Sequence, residues 1–140
     1  MKKEEFSQLL VTNREEAGCS KNEMCRRIGL LFHQLQRIEN ASNNYVITHV
    51  FSYLSAINCI IVLCSENFTQ QFLVKNKQDF VEAFKTIRQL NQLSQIKAAE
   101  KIGVIPGVIT GIESRDVNTS IDKFLQCIYG LGYQVKIEKL

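Results

Sequence analysis

Apolar residues recur along this chain at helical spacing, interrupted by two short runs of β-branched residues. Phe6, Leu9, Leu10, Asn13 and Ala17 fall on one face of a first helix, and Phe80, Ala83, Phe84 and Ile87 do the same further on. Ser20 opens a second helix, and "SKNE" reads as a capping box, with Ser20 accepting from the Glu23 backbone N–H and Glu23 reaching back. Ser94 keeps the cap with Lys97 in place of the glutamate. Gly29 and Gly103 end these helices by supplying left-handed backbone. Third helices are predicted over about 32–40 and 106–114, each preceded by a residue, Leu31 or Ile105, whose side chain cannot cap. Asn44 and Asn118 are placed as caps or turn residues before a fourth helix. Its apolar face is Ile47, Val50, Phe51 and Leu54, or Ile121, Phe124, Leu125 and Ile128. Asn58 and Gly132 suit a left-handed exit into "CIIVLC" and "YQVKIEKL", which read as strands.

These parallels are a duplication. Residues 6–63 align with 80–137 without a gap, an offset of 74. Identical pairs include Phe6/Phe80, Arg14/Arg88, Ser20/Ser94, Gly29/Gly103, Glu39/Glu113 and Asn44/Asn118. The chain therefore divides into a unit over 1–64, a partly apolar linker over 65–78, and a second unit over 79–140. Phe68, Phe72, Leu73 and Val74 make the linker too apolar to be inert, and the expectation is a short helix packed on one or both units.

Composition changes this picture little. With 140 residues, 45% of them hydrophobic and 22% charged, the chain is globular rather than disordered. The net charge of +3 tolerates a nucleic-acid partner without requiring one. It is unevenly placed: residues 1–66 hold seven Lys/Arg and seven Asp/Glu, residues 67–140 ten and seven. Five cysteines without C-x-x-C spacing read as buried thiols in a reducing compartment. The N-terminus lacks a signal peptide's apolar core and no apolar run is long enough to span a bilayer, so a cytoplasmic location is expected. Nothing points to an enzyme, a metal or a cofactor. His33 and His49 lack ligand spacing with the cysteines, no phosphate loop or nucleophile elbow occurs, and Cys64 reads as strand packing.

With helices two and three joined by a glycine turn, each unit resembles the helix-turn-helix of the phage repressor and Cro (Xre-like) family. The resemblance rests on Arg14, "SKNEMC", "IGL" and "LQRIEN", then on Arg88, "SQIKAA", "IGV" and "ITGIES", with "LGY" closing the last core helix. Arg14 and Glu39 are 25 positions apart, as are Arg88 and Glu113. In the family such a pair ties helix one to the end of the recognition helix. The fold expected is mostly α: two tandem repressor-like four-helix units, each followed by a short strand. Residues 59–64 and 133–138 are expected to pair antiparallel across a pseudo-two-fold, or else to exchange between the chains of a homodimer.

The resemblance implies double-stranded DNA as partner. Phe32, His33, Gln34 and Arg37 match base-reading positions of the first recognition helix, and Arg, Gln and Phe suit guanine, adenine and the thymine methyl. Arg26 and Arg27 add charge near that edge. Lys21, Asn40, Gln95 and Arg115 match backbone-contact positions. The second unit offers Pro106, Gly107, Val108 and Gly111 instead, with Thr110 its main polar group and an exposed Val108 beside Ile105. Two functions follow as expectations. One is a sequence-specific transcriptional regulator reading mainly through the first unit. The other is a protein-interaction or antitoxin-like module on a helix-turn-helix scaffold. A homodimer or protein partner would then engage the strands or the C-terminal unit.

Overall fold

The computed structural model describes residues 1–114 and 118–140. Four helices, α1 (Lys3–Glu16), α2 (Lys21–Ile28), α3 (Phe32–Glu39) and α4 (Ile47–Ala56), lead into β1 (Cys59–Ser65) and β2 (Gln71–Val74). Four more follow, α5 (Lys77–Leu90), α6 (Gln95–Ile102), α7 (Pro106–Glu113) and α8 (Ile121–Gly130), and then β3 (Tyr133–Lys139). Corresponding helices have equal lengths of 14, 8, 8 and 10 residues. Among the described residues no helix is long and apolar enough to cross a membrane.

Local chemistry sets the helix ends. Ser20 accepts from the Glu23 N–H at 3.1 Å, and Ser94 from Lys97 at 3.1 Å. The reciprocal half of the first capping box is not made. The Glu23 carboxylate lies 2.7 Å from Arg27, where a charged donor one turn on outweighs a neutral backbone N–H. Gly29 (φ 70°) and Gly103 (φ 90°) take the left-handed conformation that ends α2 and α6. At α3, where Leu31 cannot cap, Gln34 Oε1 reaches back to accept from the Leu31 N–H at 2.9 Å. Asn44 and Asn118 act in a way that local reading does not reach. Asn44 Oδ1 accepts from the Asp122 N–H in α8 (3.2 Å), and Asn118 Oδ1 from the Thr48 hydroxyl in α4 (3.3 Å). Each asparagine serves the other half's helix.

The sheet has the order β2-β1-β3, antiparallel throughout. At the centre of the β1·β3 ladder Val62 faces Lys136, and these are equivalent residues of the repeat. A second pair of equivalents, Val46 and Ser120, forms an isolated antiparallel bridge. There Ile47 N–H donates to Thr119 O at 2.9 Å and Ile121 N–H to Tyr45 O at 2.7 Å. One local two-fold thus relates the two halves, and the strand pairing closes within one chain. The linker departs from expectation: 71–74 form β2 rather than a helix. Phe72 and Val74 turn to the core while Gln71 and Leu73 turn away, and the strand takes up the outer backbone groups of β1 that burial would otherwise orphan. Asn76 then caps α5 by accepting from the Asp79 N–H at 2.8 Å.

One core runs through both halves, from Phe6, Leu10 and Leu35 through Ile61 and Leu63 to Phe80, Phe84 and Phe124. The Phe80 ring lies 5.0 Å from Phe124 and 6.0 Å from Phe84, within the range of favourable aromatic pairs. Cys19, Cys59, Cys64 and Cys127 are buried, and burial pushes the Cys127 thiol up to about 12, far from a reactive thiolate.

Two buried phenols make the fold sensitive to alkali. Ser7 donates to the Ile38 carbonyl at 2.7 Å, so the Tyr45 hydroxyl, 2.7 Å from Ser7, is the donor of that pair. Burial holds the Tyr45 phenol up at about 12, against 10.0 for an ordinary tyrosine, and pushes Tyr53 in the same direction. The raised folded value means that this stability is complete below pH 10 and drains away as pH climbs towards 12. The expected loss from Tyr45 alone is about 2–3 kcal/mol across that window, read by urea unfolding at stepped pH, and Tyr45→Phe should remove that share of the slope while the share from Tyr53 remains.

Candidate nucleic-acid interface

A buried salt bridge fixes where α3 sits. Arg14 Nε donates to Glu39 Oε2 at 2.7 Å and Nη2 to Oε1 at 3.1 Å, while Nη1 reaches the Cys19 carbonyl at 3.0 Å. α1 is thereby clamped to both the α1–α2 turn and the end of α3. Burial works against the Arg14 cation, yet the Glu39 hydrogen bonds and charge hold its pKa above the ordinary value. Tyr53 completes the first site by donating to Glu39 at 2.6 Å.

The second half repeats the clamp with Arg88 and Glu113 at 2.8 and 2.9 Å, and Arg88 Nη1 on the Leu93 carbonyl. Cys127 stands at the place of Tyr53, and Gln95 Nε2 meets Glu113 instead, at 3.2 Å. Gln95 is therefore turned towards the clamp.

Fixed this way, α3 buries Leu35, Ile38 and Glu39 and presents Phe32, His33, Gln34 and Arg37 to solvent. Asn40, at its C-terminal cap, is exposed as well. Phe32, His33, Gln36, Arg37, Asn40 and Ser42 line a shallow groove of about 410 Å³. Gln36 and Ser42 are members that sequence reasoning left out. The signal for Gln36 is its position one turn after Phe32. Lys21 Nζ lies 5.9 Å from the centre of the Phe32 ring, so it borders the same face. Gln34 is exposed with Oε1 held by Leu31, which leaves Nε2 as its outward donor.

Arg27 does not join this face. Its guanidinium bridges Glu23 and the Ala56 carbonyl, both at 2.7 Å, and so holds α2 to the end of α4. Arg26 remains exposed.

The equivalent face of α7 is apolar. Ile105, Gly107, Val108, Gly111 and Ile112, with the start of α8, line a groove of about 510 Å³. Ile105 is 72% exposed, but Val108 is half-buried against the core rather than exposed, because α7 leans its Val108 edge onto the interior. Arg115 lies outside the described residues. Among the described residues no cluster of His, Cys, Asp or Glu has the grouping to hold a metal ion.

Compared with known proteins, the chain matches no family model, and neither the curated proteins nor the solved structures gave a match.

Proposed function

We propose that the chain is a sequence-specific, double-stranded-DNA-binding transcriptional regulator built from two tandem helix-turn-helix units of the phage repressor/Cro type. In this reading α2–α3 and α6–α7 are the paired helices, and α3 is the principal reader. The observation that carries it is the solvent-facing row of Phe32, His33, Gln34 and Arg37 on a short helix that a glycine turn and a buried salt bridge hold rigidly outward. Short rigid helices of this kind enter the major groove with their first turns. Arg37 then supplies a bidentate contact to guanine, Phe32 an apolar contact to a thymine methyl, and Lys21 and Asn40 contacts to the backbone.

A second reading applies to the C-terminal unit, and the apolar groove along α7 favours it: a protein-interaction or antitoxin-like surface. Gly107, Val108 and Gly111 offer no side-chain donors to base edges.

Selection of bound duplexes from a random pool, followed by salt titration, tests the DNA reading. Affinity is expected to fall with salt at a log–log slope of about −0.9 per phosphate contacted. Arg37→Ala should weaken binding by roughly 1–3 kcal/mol and relax one base position in the selected sequence. A pool that shows no enrichment even at low salt would overturn the proposal.

A further inference from the structure

The local two-fold leaves one side of the sheet incomplete. β2 covers the outer edge of β1 at Ile61, Val62, Leu63 and Cys64. The repeat carries those positions to 135–138 on β3, whose outer edge pairs with no described strand. Which backbone groups face that edge follows from the ladder. Leu140 N–H donates to Asn58 O, so the even-numbered residues of β3 direct their backbone groups at β1. Val135, Ile137 and Lys139 direct theirs outward. Val135 N–H is met at 3.4 Å by the Tyr129 hydroxyl. Beyond it, the groups of Ile137 and Lys139 have no partner strand among the described residues.

We propose that this edge pairs antiparallel with β3 of a second copy of the chain, with Ile137 on the dimer axis. Charge fixes the register. Centring on Ile137 sets Lys136 opposite Glu138 of the other copy, twice, on the outer face of the sheet. Centring on residue 136 would oppose two lysines, and centring on 138 two glutamates. Moving the centre to 135 sets Lys136 against Gln134, which offers it no opposite charge. In the Ile137 register the Lys136–Glu138 pairs occupy non-hydrogen-bonded positions, where side chains lie closest, and opposite charges there stabilise pairing. The product is a continuous six-stranded sheet. This inference is independent of DNA reading. Its contact surface is small, so the dimer belongs to the weak class that concentration populates.

Sedimentation velocity across a wide concentration range reads it out. The expected result is a mass rising from 16.0 kDa towards twice that value. Ile137→Pro removes an N–H that β1 does not use, so the helical circular dichroism should persist while self-association is lost. Glu138→Lys should weaken association by about tenfold or more, and the exchange Lys136→Glu/Glu138→Lys should restore it. A wild-type chain that stays monomeric throughout would overturn the proposal. So would a dimer indifferent to Glu138→Lys, or a charge exchange that fails to rescue, since neither fits this edge in this register.

Discussion

Glu39→Ala is expected to destabilise the fold by about 3–5 kcal/mol, because it leaves the Arg14 cation buried without its counter-charge. Against a total of about 5–15 kcal/mol for a domain, that is a large share. The two glutamates form an internal comparison. Glu113→Ala should cost less, since the Arg88 side chain is 15% exposed against 7% for Arg14, and water can reach the stranded guanidinium. The loss of Glu39 also removes the acceptor that Tyr53 meets at 2.6 Å, although that hydroxyl retains the Leu10 carbonyl at 3.1 Å. Urea unfolding of both variants decides the ranking, and equal costs would show that exposure does not set the difference. Arg14→Met combined with Glu39→Leu should recover much of the single-variant loss, because removing both charges leaves neither one stranded.

The duplication made much of this architecture legible before any coordinates. The glycine turns at Gly29 and Gly103, the left-handed exits at Asn58 (φ 54°) and Gly132 (φ 85°), and the strands following them all depend on local backbone preference or period. A repeat states those signals twice. What stayed hidden depends on partners remote in sequence. Asn44 looks like a cap for its own helix, and only the two-fold brings Asp122 to it. The four residues of β2 are too short a run to separate strand from helix by period, and what decides them is the open edge of β1. Arg27 reads from sequence as a surface charge, and its engagement with the Ala56 carbonyl exists only once α4 has packed on α2. At the candidate interface, Phe32, His33 and Arg37 are expected to point outward from their match to reading positions of the resembled family, and all three are exposed. The engagement of Gln34 with Leu31 was not legible, because it answers a cap that Leu31 itself cannot make.

Phe124→Ala should also cost about 3–5 kcal/mol, and its location makes it the sharper test of how the halves depend on each other. Phe124 is fully buried in α8 with Phe80 5.0 Å away, and both residues belong to the second half. Yet the core is continuous, β1 and β3 share a ladder, and the Val46–Ser120 bridge joins the two α3–α4 and α7–α8 corners. A cavity opened in the second half should therefore weaken the first half equally. Amide hydrogen exchange is the measurement. The protected amides of α2 and α3 should speed up by the same factor as those of α5 and α8, since all are released by one global opening. Protection that survives in α1–α4 while α5–α8 lose theirs would mean two folding units joined only by a sheet. In the expected case the exposed row on α3 is held in position by residues on both sides of the two-fold. The second half then has a physical reason to persist even where its own α7 face carries no polar side chain suited to reading bases.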